Sequence, residues 1–366
     1  MSTSKRPCRL VGLSVFLVMI IFLTGCSSGK SNTAPAPLND SPSTITLFET
    51  PQDGDTPVLS QISSAQHTID VMVYEMSSNQ NPDVANTVVP ALVQAAQSGV
   101  QVRVILNSNG TSSENQDAFN TLSNTPNASV KWADPYYASI HAYIHAKIIL
   151  IDAGQATQKA LIMTLNLAPS YMGELTPLGA NSLNFGIVDS VADDISQLET
   201  MFNLEWNYQG RTYTLPQNTN LVMSPNNSFA VLKSQIQNAT QSIHFFAQEL
   251  EDSTIVNNLV SAAKNGIEVK GLVPSNFPFN IANANTINSN GGEVRFLDQP
   301  YQHSKATIVD GVQVYIGSIN YTNTSMTQNR EVGIIVTQSD IVSRMETRFS
   351  YWFSQASPTP SPTPNP

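Results

Sequence analysis

Ser60–Met76 reads SQISSAQHTIDVMVYEM, and Ser234–Leu250 reads SQIQNATQSIHFFAQEL. Each begins as the end of an amphipathic helix and passes into a strand-like run, with Glu75 and Glu249 at equivalent places. The likeness continues along the chain. LVQAAQSGVQVRVIL from Leu92 matches LVSAAKNGIEVKGLV from Leu259; in both a helix should stop near a glycine, Gly99 or Gly266, and a buried strand should follow. HAKIILID (145–152) matches HSKATIVD (303–310), and DISQLETMFNLEWN from Asp194 matches DIVSRMETRFSYWF from Asp340, an amphipathic closing helix in each case. The offset falls from 174 residues at the first pair to 158 at the histidine motifs, so loops differ while the order of elements is kept. Register held through four successive elements marks an internal duplication. The expected fold class is α/β, with two halves, 44–212 and 213–355, packed about a pseudo-two-fold axis.

The ends fall outside that repeat. Residues 1–25 read as a leader: Lys5, Arg6 and Arg9 precede an uncharged stretch, Leu10–Leu23. Fourteen residues suit a signal-peptide core better than a membrane span, which needs about 20. The stretch runs into Leu23-Thr24-Gly25-Cys26, which resembles the bacterial lipoprotein signal. That resemblance implies acylation of Cys26 and export to a lipid-anchored position on the outer or plasma membrane; an ordinary secretory leader or an uncleaved anchor, with a coincidental cysteine, is the alternative. Residues 26–43 read as a flexible tether and 356–366 as a Pro-rich tail with nothing to bury.

Cysteine occurs only at 8 and 26, so the mature chain has no pair for an intrachain disulfide. With 41% hydrophobic and 12% charged residues, the chain has the profile of a folded exported protein. Its formal charge of −10 becomes −13 on loss of Lys5, Arg6 and Arg9. So acidic a body repels polyanions at long range, which weighs against non-specific nucleic-acid binding and leaves room for a local basic pocket.

KIILID and KATIVD are β-branched runs expected as buried strands. Residues two apart on a strand share a face, so His145 projects with Lys147, and His303 with Lys305. Asp152 and Asp310 face the other way at the far end, where a supporting salt bridge or turn is expected rather than direct chemistry. An imidazole beside an ammonium suits phosphate: the Lys neutralises a non-bridging oxygen while the His reaches phosphorus or a bridging oxygen. A second strand in each half carries Thr164 and Asn166, or Ser318 and Asn320, again two apart and expected to face the pocket as donors to substrate. A third carries Asn184 in SLNFG and Glu331 in NREVG.

The pattern H-x-K-x4-D, then G-S-x-N, then N-R-E-x-G, is similar to that of the phospholipase D superfamily. The second copy matches throughout: His303, Lys305, Asp310, Gly317, Ser318, Asn320, Asn329, Arg330, Glu331 and Gly333. The first keeps His145, Lys147, Asp152 and Asn166 but has Met163-Thr164 for Gly-Ser and Asn184 in place of the glutamate. The resemblance spans nearly all of residues 44–355. It implies two α/β/α sandwich domains with mixed sheets and a single active site at their interface. His145 is then the nucleophile, forming a phosphohistidine, and His303 the general acid. Lys147, Lys305, Asn166, Asn320, Asp152 and Asp310 complete the catalytic set, with Thr164, Ser318 and Asn184 at the substrate. In the same scheme the third-strand residue of one half supports the histidine of the other, so Glu331 orients His145 and Asn184 faces His303. One imidazole must be neutral while the other is protonated. No metal or other cofactor is expected, since Lys, Asn and hydroxyl groups supply the electrophilic stabilisation.

His141, four residues before His145 and without a lysine partner, is expected to be structural or pocket-lining. Glu75 and Glu249 could border the pocket or cap internal polar groups. The aromatics Trp132, Tyr136, Tyr137 and Tyr143 could line an entrance or pack a loop. The expected substrate is a phospholipid or membrane surface, given the presumed anchor and the acidic body, with hydrolysis that releases a head group. The single short apolar stretch weighs against a cardiolipin synthase. A surface-tethered nuclease is the alternative, and a silent binding module comes third. No obligate protein partner is inferred.

Overall fold

The computed structural model describes residues 45–77, 87–139, 142–173 and 182–361. The leader, Cys26, the tether, His141 and residues 362–366 lie outside them.

The first half supplies β1 (Ile45–Thr50), β2 (Thr68–Val73), β3 (Gln101–Leu106), β4 (Ala128–Trp132), β5 (Lys147–Ile151), β6 (Lys159–Met163) and β7 (Ser182–Asp189). The second supplies β8 (Leu221–Ser224), β9 (Ser242–Ala247), β10 (Glu268–Val273), β11 (Glu293–Phe296), the short β12 (Tyr301–Gln302), β13 (Lys305–Val309), β14 (Gln313–Gly317) and β15 (Glu331–Val336). The sheet orders are β1-β7-β6-β5-β2-β3-β4 and, reversed in direction of reading, β8-β15-β14-β13-β9-β10-β11. Strand for strand these are the same arrangement, so the duplication read from sequence is a duplication of topology. Both sheets are mixed: β2, β3 and β4 run parallel, as do β9, β10 and β11, and the remaining neighbours in these two orders are antiparallel.

The helices form where apolar spacing and end signals agree. Ser253–Lys264 buries Ile255, Val256, Leu259, Ala262 and Ala263 on one face, and the Asp252 side chain accepts from the backbone N–H of Thr254 and Ile255 at its start. It ends before Gly266, whose φ of +84° is the left-handed conformation that glycine adopts without strain. Its counterpart Val88–Gln97 ends in the same way before Gly99, at φ +100°.

Apolar residues fall into three clusters. One lies between the helices of the first half and the outer face of its sheet, and one does the same for the second half. The third is shared: Ile148, Leu150, Phe185 and Ile187 from the first sheet pack with Phe246, Ile308, Ile316 and Val332 from the second. The closing helices Ala192–Trp206 and Ser339–Gln355 contribute Phe202 and Phe349 to this layer. Each buried Leu, Ile or Phe contributes roughly 1.5–3 kcal/mol, so this shared layer joins the halves firmly.

Backbone pairing also crosses between halves. β12 pairs in parallel with β7, Tyr301 opposite Ser182 and Gln302 opposite Leu183. By the same pseudo-symmetry Ile144 forms a parallel bridge with Arg330, and Arg330 O accepts from the N–H of His145 and Ala146, both at 2.9 Å. The segment before each H-x-K is thus held by the third strand of the opposite half.

One expectation needs correcting here. The start of the tail is not idle: Ser357 pairs with Phe296 in both directions, Ala356 is buried, and Ser361 Oγ donates to Asp298 at 2.5 Å. β11 is an edge strand with open backbone groups, and the chain past the last helix satisfies those of Phe296.

Candidate active site

β5 and β13 begin at Lys147 and Lys305, with the histidines two residues upstream. His145 Nδ1 lies 2.8 Å from Glu331 Oε2, and His303 Nδ1 lies 2.7 Å from Asn184 Oδ1. Both contacts cross between halves, a direct result of the crossed backbone pairing. The lysines fold back on their own histidines: Lys147 Nζ donates to His145 O at 2.7 Å, and Lys305 Nζ donates to His303 O at 2.5 Å and lies 3.2 Å from His303 Nε2. The partners fix the tautomers. A carboxylate or amide oxygen at each Nδ1 places the proton there and leaves Nε2 as the lone-pair nitrogen. His145 keeps 13% of its side chain exposed, whereas His303 as a residue is 3% exposed.

The support around each histidine is unequal. Glu331 Oε1 also accepts from Asn329 Nδ2 at 3.0 Å, and Asn329 Oδ1 accepts from Tyr143 N–H at 3.0 Å. On the other side, Asn184 Oδ1 accepts from Thr164 Oγ1 at 3.0 Å while its Nδ2 donates to Ser182 Oγ at 2.9 Å. Burial works to raise Glu331, but His145, Lys147 and the Asn329 hydrogen bond outweigh it and hold the carboxyl below its usual range.

Burial also dominates the cations. It draws His145 down to about 4, Glu331 pulling back and Lys147 adding to the drop. His303 lies well below its ordinary value through burial and then the charges of Lys305 and Lys147, with no carboxylate against it. Lys147 falls to about 7 and Lys305 well below the usual lysine range, again chiefly by burial. Burial thus works against a charge on either imidazole in the protein as it stands. Two ammoniums and two imidazoles that resist charging form a site whose cationic forms an arriving phosphodiester anion would favour.

Asp152 and Asp310, which the resemblance groups with the catalytic set, take the supporting place at a turn that strand alternation suggests. Each sits five residues past its lysine, roughly 16 Å along the strand, in a left-handed turn at φ +49° and +56°. Asp152 accepts from the N–H of Gln66, His67 and Thr68, the last two at 2.6 and 3.0 Å. Asp310 accepts in the same way from Thr240, Gln241 and Ser242. Burial opposes ionisation of both, but these backbone donors outweigh it and lower both pKa values. They anchor the end of β5 or β13 to the start of β2 or β9.

Thr164 and Ser318 are also reassigned. Both are fully buried, and both hydroxyls are engaged by the adjoining strand. Thr164 Oγ1 accepts from Phe185 N–H and donates to Asn184; Ser318 Oγ accepts from Val332 N–H at 3.0 Å and donates to Val332 O. They brace the third strand, which carries the histidine's partner. Asn166 and Asn320 do reach the site, where their amides donate to Glu75 Oε2 at 3.3 Å and Glu249 Oε1 at 2.8 Å. Glu75 and Glu249 thus border the pocket, and their charges act on Lys147. Among the described residues, no group of three or more His, Cys, Asp or Glu is arranged to hold a metal ion.

Residues 58–206 and 232–352 match the family described as cardiolipin synthase, PLD-like domain. The chain belongs to the phospholipase D superfamily. Among curated relatives of this superfamily member, a cardiolipin synthase of Staphylococcus aureus (strain Mu50) is 20% identical over 328 residues, 81% of this chain and 65% of that protein. A cardiolipin synthase of Clostridium perfringens (strain SM101) is 23% identical over 330 residues, 79% of this chain and 66% of that protein. The chain thus spans just under two thirds of the length of these relatives. The phosphatidylserine synthase of Haemophilus influenzae Rd KW20 shares the fold, with a TM-score of 0.69 at 13% identity, covering 87% of this chain and 88% of that one.

Some residues of this phospholipase D-like site escape sequence reasoning. The Tyr74 ring lies edge-on to His145 at 4.8 Å, and Lys147 Nζ sits 5.2 Å from its centre. Tyr171 lies 4.7 Å from the His303 ring, and Gln248 Oε1 accepts from Lys305 at 2.6 Å. Tyr74 and Gln248 occupy equivalent places just before Glu75 and Glu249, and that shared position was the available signal. Of the aromatics before the first motif, Tyr143 reaches the site, where its ring is 5.7 Å from Tyr74. Trp132 stacks on Phe119 and Tyr137 OH donates to Glu205, which is packing.

Proposed function

We propose that this phospholipase D superfamily member cleaves phospholipid head-group phosphodiesters through a phosphohistidine on His145. The observation that carries the reading is the crossed pair of contacts, His145 on Glu331 and His303 on Asn184, which brings two imidazoles and two lysines into one site. In the first step His145 Nε2 attacks phosphorus. The P–N bond forms, the P–O bond to the leaving alcohol breaks, and protonated His303 gives its Nε2 proton to that oxygen. In the second, His303 takes a proton from water, the resulting hydroxide attacks phosphorus, and the P–N bond breaks to leave phosphatidic acid. Lys147 and Lys305 bear the charge of the non-bridging oxygens. Glu331 stabilises the positive charge that grows on His145. His303 takes its proton from solvent as the anionic substrate binds, since that charge offsets the repulsion from both lysines. Acylation at Cys26 would hold the enzyme at a membrane beside its substrate.

A second reading has its own support: the matching family and curated relatives carry the name cardiolipin synthase. In that case an alcohol replaces water in the second step and the reaction is a transfer. Residues 27–366 given phosphatidylcholine or phosphatidylethanolamine vesicles, with and without glycerol and with EDTA present, separate these outcomes. Phosphatidic acid as product supports hydrolysis, and phosphatidylglycerol supports transfer. Cleavage of single-stranded DNA but not of vesicles would sink the lipid reading, and loss of activity in EDTA would sink the metal-free mechanism.

A further inference from the structure

Arg330 follows Asn329 and precedes Glu331, yet its side chain leaves the site altogether. It is 1% exposed and among the largest fully buried side chains described. Its guanidinium is engaged on every nitrogen: Nε donates to Glu205 Oε1 at 2.6 Å, one terminal nitrogen to Ser224 O and Asn226 Oδ1 at 2.8 Å each, the other to Gly210 O at 2.8 Å. Glu205 ends the closing helix of the first half, Gly210 lies in the connection, and Ser224 ends β8 of the second half. Tyr137 OH donates to the same Glu205 oxygen at 3.0 Å. Position 210 has no room for a side chain, since a Cβ there would meet the Glu205 carboxyl at 1.9 Å.

The backbone of the same residue grips the attacking histidine. Arg330 N–H donates to Tyr143 O at 2.8 Å, and Arg330 O accepts from the N–H of both His145 and Ala146. One residue thus ties three separate segments through its guanidinium and clasps the 143–146 segment through its main chain. Its neighbours on either side build the Asn329–Glu331–His145 relay. A shift of this backbone would move Glu331 and the main-chain anchor of His145 together.

We infer that Arg330 is a positioning residue for His145, acting with Glu205, Tyr137 and Asn226 as a clamp that sets the His145–Glu331 contact. The inference rests on His145 being the nucleophile. It assigns the clamp no contact with substrate: what it supplies is the sub-ångström placement on which attack depends, where a 1 Å error can reduce rate about 100-fold.

The test uses the full chain and bis-p-nitrophenyl phosphate, a soluble phosphodiester that does not depend on the choice between lipid and nucleic acid. Arg330→Lys keeps the charge and loses the fork of donors. It should lower kcat about 100-fold, leave KM within about threefold, and move the limb of the pH–kcat profile that reports His145. A merely structural role would lower the melting temperature and leave that limb and the kcat of the folded fraction in place. If Arg330→Lys does not fold, Tyr137→Phe and Asn226→Ala each delete one contact of the clamp, and each should lower kcat about three- to tenfold with the same shift. Wild-type kcat and an unmoved limb in folded variants overturn the inference. A wild-type chain that cannot cleave the substrate overturns the phosphodiesterase reading itself, and the inference with it.

Discussion

Glu331→Gln is the substitution that most directly probes the unequal support of the two histidines. The carboxylate accepts from His145 Nδ1 through Oε2 and from Asn329 Nδ2 through Oε1. Glutamine has one acceptor for these two donors. If its oxygen stays on His145, its amide nitrogen faces the Asn329 amide nitrogen; Asn329 cannot turn over, because its oxygen already accepts from Tyr143 N–H. If the oxygen turns to Asn329, the glutamine amide donates to His145 Nδ1 and drives the proton to Nε2, the nitrogen needed for attack. In both arrangements the negative charge that stabilises a positively charged phosphohistidine is gone. A neighbouring carboxylate shifts a partner's pKa by about 1–3 units, or roughly 1.4–4 kcal/mol. That predicts a kcat loss of about 10- to 1,000-fold. Steady-state turnover of bis-p-nitrophenyl phosphate measures the loss, and ¹⁵N NMR of the imidazole reads the tautomer. A variant within about twofold of wild-type kcat, with the proton still on Nδ1, would refute the assignment of Glu331 to His145.

Asp152→Asn and Asp310→Asn should each destabilise by about 2–4 kcal/mol, by weakening a carboxylate that accepts three backbone N–H groups, while kcat of the folded enzyme stays unchanged; thermal melts and kinetics together check this. Because both carboxyls have lowered pKa values, their stabilisation is complete above the unfolded value near 3.9 and is lost as pH falls through the folded one. The basic limb of the free-enzyme kcat/KM profile should lie below the usual histidine range, because burial and then the charges of Lys305 and Lys147 lower His303. A profile flat from about pH 5 to about pH 9 would contradict this. His244 sits between Glu346 at 2.7 Å and Glu268 at 2.8 Å, and its pKa is raised: burial works downward, but these two carboxylates outweigh it. Its stabilisation is therefore full below the unfolded pKa and lost as pH rises through the folded one. The difference in melting temperature between wild type and His244→Gln should shrink from about pH 6 to about pH 9.

Much of the fold could be read before the structure because the repeat supplies its own control. A helix stop at Gly99 is a weak signal alone, but a second stop at Gly266 in the same order of elements makes both credible. Strand alternation likewise placed Asp152 and Asp310 opposite the lysines, although it could not say that they would cap backbone donors on a neighbouring strand. The same rule misplaced Thr164 and Ser318. Alternation gives the face of a sheet, not what spends a hydroxyl once it is buried, and here the adjoining strand takes both. β12 is two residues long, below the length at which any periodicity exists, and the bridge at Ile144 is shorter still. Those two contacts cross the halves, so the physical basis of the crossed support lay outside sequence patterns. Tyr171 has no counterpart in the second half, so repetition could not mark it.

The exchange of third-strand residues also explains what fusing two halves into one chain makes possible. A symmetric dimer of the first half would set an asparagine against both histidines, and a dimer of the second would set a glutamate against both. Neither arrangement distinguishes one imidazole from the other. Joined covalently, each copy serves the other's histidine, and a change at position 184 or 331 acts on the histidine of the opposite half. Division of labour between two equivalent groups here depends on the halves differing while remaining bound to each other.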